Sequence, residues 1–468
     1  MKRRDFFKYG SLLSLFGLGS SSSAWALDLA EPLASKKKRA KNIIFMVSDG
    51  MSTGTLNMAD LYLQRQFGQG SNWLNLYRNN LVTRGLMDMA SASSIVTDSS
   101  AASSSWGCGQ RVKNGVLNVD ANGNELTTIW QKFKNGGKKA GCVTSVPVTH
   151  ATPAGFCISA TSRNTQEEIA QKYLVMGMDL LLGGGDKFFN PEKRSDKQDM
   201  YKKYHNAGYQ IVKNRTELSG SVSGKPLLGT FGDDALPYWL DHKTDTELEN
   251  SVPTLAAMTA VAIDHLKGSK EGFVLQIEGG KVDWAAHAND IGGLLFDQVA
   301  FDEAIKVAID FAAKDKETLV IICTDHGNAN PGLIYGSQVN ENFDNLHKFQ
   351  KTNDWILQSI LPTHTTADIQ QRIFNANGFE ISTEEAQKLL GFYTGLQAEE
   401  AGLYNYKNLP FSALADIQKK RTSVGWISMN HSGDFVEIAM YGPGSQLHKP
   451  FIKNTELHTL MLKACGVG

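Results

Sequence analysis

The feature that most constrains the fold of this chain is a set of short runs rich in apolar residues. They lie at 42–47, 138–146, 178–182, 272–277, 319–323 and 435–441. Runs of this length are typical of strands buried on both faces, and the segments between them are long enough for crossover helices. Strands that alternate with such helices favour parallel pairing. The sequence therefore predicts an α/β fold with a mainly parallel central sheet and helices on both faces.

The segments between the runs predict the helices and the domain organisation. Residues 254–266 and 294–313 have apolar side chains at helical spacing, and 186–250 is polar, with an expectation of loops and short helical pieces. From about 330 to 425 the chain changes to polar helical segments without a long buried strand. We therefore predict a large α/β domain at 41–329 and 426–468, which we expect to be catalytic. An inserted helical, crown-like subdomain at 330–425 interrupts it.

The first 40 residues carry a targeting pattern. Lys2-Arg3-Arg4 precedes a short apolar region at 11–19, and Ala24-Trp25-Ala26 forms a cleavage motif. This order predicts a twin-arginine (Tat) signal peptide at 1–26, followed by a leader at 27–40. A membrane anchor is disfavoured because the apolar region is much shorter than the ~20 residues that a span needs. The expected location is therefore periplasmic or secreted, with no membrane anchor after signal removal.

Charge and cysteine content narrow the classes of partner. The net charge is −1, so bulk electrostatics give no nucleic-acid-binding feature. The five cysteines include no C-x-x-C pair, and Cys142 and Cys323 stand inside apolar runs. We therefore expect buried free thiols instead of a disulfide framework.

A run of small and hydroxyl residues at 96–106 places one acid, Asp98, directly before a serine, Ser99. Apolar residues lead into this run and helix-tolerant alanines and serines follow. Such a pattern places a hydroxyl at a helix N-terminus, where backbone N–H groups and the helix dipole favour an anion. Taken alone, the run also fits an ordinary serine-rich loop or helix cap. Whether the run is a functional site or an ordinary loop therefore depends on the side chains that follow the other predicted strands.

Metal-capable side chains follow several of the predicted strands, where open α/β sheets place their ligands. They are Asp49, Glu278, Asp283 with His287, Asp325 with His326, and His431. Asp283 and His287 are four residues apart, so a helical turn would place them on one face. Mixed histidine and carboxylate ligands suit Zn²⁺. The oxygens of Asp49, Thr152 and Glu278 suit a harder ion such as Mg²⁺.

From about residue 42 to 441 the chain resembles the alkaline phosphatases. The resemblance is carried by VSDGM, VTDSSAASSSWG, HATPAG, ATSR, LLGGG, IEGGKVDWAAHAND, TDHGN and NHSGDFVEIAMYGPG, which occur in the family's order at similar spacing. Because the motifs are independent of one another, their combination is highly specific. The resemblance implies an exported, metal-dependent phosphomonoesterase that acts on small phosphate monoesters, and it leaves a homodimer open.

The resemblance also implies a role for each matching residue. Ser99 matches the nucleophile that becomes phosphorylated, and Arg163 matches the arginine that grips the substrate phosphate. Two Zn²⁺ and one Mg²⁺ per subunit are implied, with ligands as follows: Asp283, His287 and His431 for the first zinc; Asp49, Asp325 and His326 for the second; Asp49, Thr152 and Glu278 for magnesium.

The chemistry explains why these residue types are needed. A serine hydroxyl is a weak nucleophile near neutral pH, and metal coordination activates it. Two cations about 4 Å apart can stabilise the attacking and leaving oxygens of an in-line displacement. Arg163 supplies a planar fork of donors for two phosphate oxygens. The implied cycle forms a phosphoserine on Ser99, which water then hydrolyses to release inorganic phosphate.

Two positions depart from part of the family, and two other functions stay open. His150 and Trp284 stand where some members have Asp and Lys, and we place both in the pocket, with Trp284 as an aromatic wall. The alternatives are a phosphodiesterase of the same superfamily and a non-catalytic, exported metal- or phosphate-binding protein. Arg163 favours a dianionic monoester over a diester, and a binding protein would not need Ser99 and Arg163 together.

Overall fold

The computed structural model describes residues 39–399 and 403–467. The predicted signal peptide at 1–26 and all but the end of the leader lie outside the described residues. The strands are β1 (Asn42–Ser48), β2 (Thr83–Asp88), β3 (Lys139–Pro147), β4 (Leu180–Gly184), β5 (Gln210–Val212), β6 (Leu227–Thr230), β7 (Phe273–Gly279), β8 (Thr318–Cys323), β9 (Gly327–Asn328), β10 (Gly332–Leu333), β11 (Val424–Gly425), β12 (His431–Ser432), β13 (Val436–Tyr441) and β14 (Phe451–Lys453).

Ten of these strands form one sheet, in the order β14-β2-β13-β8-β1-β7-β3-β4-β6-β5. Strand β1 lies near its centre and pairs in parallel with both neighbours, so that Phe45 is opposite Gln276 on one side and Ile321 on the other. Strand β13 is antiparallel to both β8 and β2. The predicted mainly parallel central sheet is therefore confirmed.

Each of the six apolar runs contains a strand of this sheet, because a strand buried on both faces needs apolar side chains at every position. The expectation of loops and helical pieces at 186–250 was incomplete, since β5 and β6 lie in that segment. These strands have three and four residues. Strands this short carry too little pattern to be recognised, and the pairing of β6 with β4 and of β5 with β6 is decided by the tertiary structure.

Helices cover both faces of the sheet. They are α1 (Thr53–Phe67), α2 (Asn72–Arg78), α3 (Ser99–Cys108), α4 (Ile129–Asn135), α5 (Ala151–Cys157), α6 (Gln166–Met176), α7 (Met200–Asn206), α8 (Arg215–Ser219), α9 (Trp239–Lys243), α10 (Thr246–Ser251), α11 (Leu255–Leu266), α12 (Lys281–His287), α13 (Ile291–Asp315), α14 (Val339–Asp344), α15 (Asn353–Gln358), α16 (Thr366–Asn377), α17 (Thr383–Gly391), α18 (Phe411–Thr422) and α19 (Glu456–Cys465). Alternate residues of β1 point to the two faces: Ile44 and Met46 pack with α11 and α13, whereas Ile43 and Phe45 pack with α3 and α5.

The segment 330–425 is helical, with α14 to α18 and only the two-residue strands β10 and β11 among its described residues. Its buried side chains, such as Leu346, Ile356 and Ile373, belong to the same apolar cluster as those of α13. The boundaries of a separate subdomain stay a prediction. Within residues 39–399 and 403–467, no helix combines the length and apolar character that a membrane crossing requires.

Candidate active site

Ser99 is the first residue of α3, where the serine-rich run becomes a helix. The Asp98 side chain caps this helix by accepting the Ala101 N–H at 2.9 Å. Ser99 is buried, and its Oγ lies 3.2 Å from Nε2 of His326. The hydroxyls of the later serines donate to main-chain carbonyls of α3 and α5; these are Ser103, Ser104 and Ser105. One hydroxyl of the run is thus left facing a histidine.

Close packing of α3 against α5 sets the position of Ser99. A Cβ atom added at Gly155 would lie 2.0 Å from Oγ of Ser103, and one added at Gly107 would lie 2.0 Å from the Gly155 carbonyl oxygen. Glycine is required at both positions because the backbones approach this closely. The contact brings the N-terminus of α3 beside that of α5, which carries Thr152.

Histidine and carboxylate side chains converge at the carboxyl end of the central strands in three groups. The groups are Asp283, His287 and His431; Asp49, Asp325 and His326; and Asp49, His150 and Glu278. In each group one ligand atom from every residue lies within 4.8 Å of the others. Asp49 belongs to two groups, so its carboxylate stands between them. The residues come from different strand ends, and the parallel sheet brings those ends to one edge.

Hydrogen bonds to main-chain carbonyls fix the tautomers of three histidines. Nδ1 lies 2.7 Å from the Met429 oxygen in His287, 2.9 Å from the Thr97 oxygen in His431, and 3.3 Å from the Gly327 oxygen in His326. A carbonyl oxygen only accepts, so Nδ1 carries the proton and Nε2 keeps its lone pair. Nε2 atoms of His287 and His431 lie 3.1 Å apart. Two lone pairs at this distance suit a shared cation.

The buried carboxylates create an excess of negative charge. Burial and the nearby Asp325 and Asp283 raise the pKa of Asp49 well above its ordinary value. Burial, with Asp283 adding to it, raises the pKa of Asp325 to about 7. Burial acts in the same direction on Asp283, but the His287 and His431 rings outweigh it and lower its pKa to about 2. Ionised together, these carboxylates require positive charge at the same place.

Orphaned polar atoms show that the residues fit metal ions. Oδ1 of Asp49, Oδ2 of Asp325, Oε1 of Glu278 and Nδ1 of His150 are buried and have no hydrogen-bond partner. A buried polar atom without a partner is costly, so the three carboxylate oxygens call for a ligand of positive charge. Two imidazoles with a carboxylate suit zinc, and the oxygen-rich third group suits a harder ion.

Arg163 is held from two sides, one of them by Asp98, the residue before Ser99. Its Nη1 donates to Asp98 Oδ2 at 3.2 Å, and its Nη2 lies 3.2 Å from Nε2 of His150. Arginine has only donors, so the His150 nitrogen accepts. Burial alone would raise the pKa of Asp98, but the Arg163 charge and several hydrogen bonds lower it. The guanidinium is thus fixed next to Asp98 with part of its surface open.

The remaining predicted residues join the same network. Thr152 Oγ1 lies 3.5 Å from Asp49 Oδ2. The Trp284 ring meets the His150 ring edge-on, with centroids 6.1 Å apart. The His326 and His431 rings stack at 3.7 Å, which links the first two ligand groups. Direct contacts therefore connect every candidate residue from the sequence into one site.

Three supporting residues were not recognised from the sequence. Asn328 Nδ2 donates to Asp283 Oδ1 at 2.7 Å, Thr144 Oγ1 donates to Glu278 Oε2, and Asp98 holds Arg163. Asn328 and Asp98 belong to the motifs TDHGN and VTDSS, so the sequence could have indicated both residues. Thr144 lies within β3 and has no local signal.

The chain is similar to alkaline phosphatases over nearly its whole length. The sequence pattern of the alkaline phosphatase family matches residues 40–467. The chain is 30% identical to alkaline phosphatase 4 of Bacillus subtilis over 445 residues, which cover 93% of this chain and 92% of that protein. It is also 30% identical to alkaline phosphatase 3 of the same organism, over 97% and 96% of the two chains. The crystal structure of Thermus thermophilus alkaline phosphatase superposes with a TM-score of 0.84 at 31% identity, covering 92% of both chains.

Proposed function

The chain belongs to the alkaline phosphatase family of phosphomonoesterases, and from that premise we propose that it hydrolyses phosphate monoesters through a phosphoserine on Ser99. The observation that carries the proposal is the Ser99 hydroxyl, 3.2 Å from a histidine of one ligand group and at the start of α3. A nucleophile at that point faces both the buried cation sites and the helix N-terminus. An anionic phosphoryl group is favoured there.

The ligand groups would hold two zinc ions and one magnesium ion. The first zinc would take Asp283, His287 and His431, the second Asp49, Asp325 and His326, and magnesium Asp49, Thr152 and Glu278, with His150 beside it. When bound, the ions supply positive charge that favours the ionised serine and offsets charge on the phosphoryl and leaving oxygens.

The chain's own residues perform the positioning. Ser99 Oγ attacks phosphorus, the bond to the leaving oxygen breaks, and the alcohol departs with a proton from solvent. The Arg163 fork binds two non-bridging oxygens, while Asp98 and His150 keep that fork in place. Water then attacks the phosphoserine, which returns the Ser99 hydroxyl and releases inorganic phosphate.

Other parts of the proposal rest on sequence patterns alone. We propose export by the twin-arginine pathway to the periplasm or the exterior, on the basis of the motif at 1–26. A homodimer and an inserted helical subdomain at 330–425 belong to the same proposal. The relatives from Bacillus subtilis support the phosphatase activity.

The test compares turnover of p-nitrophenyl phosphate and bis-p-nitrophenyl phosphate by wild type and two variants. We expect Ser99→Ala to lower monoester turnover by at least about 10³-fold at unchanged metal content, because the nucleophile is lost. Ser105→Ala is the matched control: its hydroxyl bonds only the Ala101 carbonyl of its own helix. It should stay within about twofold of wild type.

Other outcomes would contradict the proposal. Ser99→Ala turnover within a few-fold of wild type would exclude Ser99 as the nucleophile. Faster hydrolysis of the diester than of the monoester would favour a phosphodiesterase. Zinc binding without any turnover would favour a binding protein. Full activity after exhaustive chelation would exclude the metal mechanism, whereas we expect chelation to abolish turnover and Zn²⁺ with Mg²⁺ to restore it.

A further inference from the structure

Lys281 is a buried lysine that the proposed chemistry leaves unused, although it begins α12, the helix that carries Asp283. The residue is 7% exposed. Its Nζ lies 3.4 Å from the ring centroid of Tyr238 and 5.1 Å from that of Trp284. Within residues 39–399 and 403–467, no carboxylate oxygen lies within 4.0 Å of this nitrogen. The ammonium group is thus held by aromatic rings and not by a direct ion pair.

Burial strengthens the ring contacts of this group. Burial also lowers the pKa of Lys281, and the negative charges of Asp297, Asp354 and Asp241, which lie beyond ion-pair distance, oppose that shift. A cation removed from water interacts with an aromatic face more strongly than an exposed one. At 5.1 Å, the contact between Lys281 and the Trp284 indole lies within the range of a cation–π interaction.

The Trp284 ring is held on its other side by the active site. It meets the His150 ring at 6.1 Å and an interplanar angle of 73°, the edge-to-face arrangement that aromatic rings prefer. The Trp284 carbonyl also accepts the Tyr406 hydroxyl at 3.4 Å. Trp284 therefore contacts both the buried ammonium group of Lys281 and the imidazole of His150.

His150 in turn contacts Arg163. Nε2 of His150 accepts from Nη2 of Arg163 at 3.2 Å, on the side of the guanidinium opposite Asp98. Asp98 is fixed by its bonds to α3, so the His150 side is the one that depends on Trp284. An imidazole ring that is free to turn would no longer hold the second nitrogen of Arg163.

We propose that Lys281 is a positioning residue for phosphate binding: its ammonium fixes the Trp284 indole against His150, and His150 fixes the Arg163 fork. The inference rests on the proposed function, because it takes Arg163 as the phosphate-binding residue. Lys281 does not touch the substrate. Its loss should therefore weaken phosphate binding more than it slows the chemical step.

The experiment compares Lys281→Met, Lys281→Arg and Lys243→Met in p-nitrophenyl phosphate turnover, with inhibition by inorganic phosphate and zinc content. Lys243 is the matched control, since its Nζ lies 3.8 Å from the Phe296 ring on α13, in a contact that includes no candidate site residue. We expect Lys281→Met to raise KM and the phosphate inhibition constant about tenfold with a smaller change in kcat. Lys281→Arg should restore most of this, and Lys243→Met should change neither constant by more than about twofold.

A double-mutant cycle tests the route through the indole ring. In a Trp284→Leu background, Lys281→Met should add less than about twofold, because the ring that Lys281 holds is absent. An undiminished effect in that background would overturn the proposal. Lost zinc in Lys281→Met would also overturn it, since Lys281 would then act through Asp283. A wild-type chain without monoester turnover would refute the proposed function, whereas an active wild type with an unaffected Lys281→Met variant would refute this inference alone.

Discussion

Two sets of buried aspartates differ in their contacts, although burial affects their pKa values in the same way. One set, with Asp49 and Asp325, lies at the carboxyl edge of the sheet. The other consists of Asp290, the N-cap of α13, and Asp297 and Asp302 within that helix. Burial raises the pKa in both sets: to about 7 in Asp325, Asp290 and Asp297, and to about 6 in Asp302. Burial and a raised pKa therefore do not distinguish a functional carboxylate from a structural one.

The contacts of the oxygens make the distinction. Asp290 accepts the N–H groups of Gly293 and Asn353 at 2.9 and 2.7 Å, and Asp302 accepts the N–H of Trp73 at 2.9 Å. Asp49 and Asp325 each keep one buried oxygen without a hydrogen-bond partner, near Nε2 of His326. The carboxylates of α13 accept hydrogen bonds from backbone N–H groups of neighbouring elements. Those at the sheet edge have an oxygen available to bind a cation.

The largest expected effect comes from changing the shared carboxylate. Asp49→Asn should lower monoester turnover by at least about 10²-fold and reduce metal content, because one residue serves two ligand groups. Asp302→Asn makes the same chemical change at a buried aspartate of α13 and should leave turnover within about twofold. Metal analysis together with turnover checks both. Wild-type metal content in Asp49→Asn would contradict the distinction between metal-binding aspartates at the sheet edge and structural aspartates of α13.

A smaller effect, on stability, is expected from Asp302→Ala. Its carboxylate accepts the N–H groups of Asn72 and Trp73 at 2.7 and 2.9 Å, which begin α2. Removal leaves two donors without this acceptor, so the free energy of unfolding should fall by about 2–4 kcal/mol. Chemical denaturation of the metal-loaded protein measures this change. An unchanged denaturation midpoint would show that the α13 carboxylates have no capping role.

The smallest effect is the pH dependence that Asp302 contributes. Its pKa is raised from 3.8 to about 6 in the folded protein, so the folded state holds a proton that the unfolded state releases. Stability from this group is full below about pH 4 and is lost as pH rises to about 6 and beyond. Asp302→Asn should remove about 1–3 kcal/mol of that fall between pH 4.5 and 7.5. Denaturation midpoints at both values give the slope, and an equal slope in wild type and variant would contradict the prediction.

The sequence pattern alone predicted a structural feature where the pattern and the residues that form the feature lie in the same strand or helix. The run at 42–47 predicts β1 because every side chain of a central strand is buried, and Asp98 before Ser99 predicts the start of α3 because the cap is a local hydrogen bond. The short strands β5 and β6 were missed because three or four residues carry no periodicity. Residues such as Thr144, which acts on Glu278 from a neighbouring strand, leave no local trace at all.

The sequence by itself determined the chemistry that the chain can perform: one hydroxyl at a helix N-terminus, one arginine fork, and carboxylates and imidazoles after successive strands. Those are properties of residue type and order. Only the tertiary structure decided that Asp49 stands between two ligand groups, that three histidines present Nε2, and that Lys281 lies against Trp284. The physical reason is that each of these depends on contacts between elements distant in the chain, which packing of the sheet and its helices brings together.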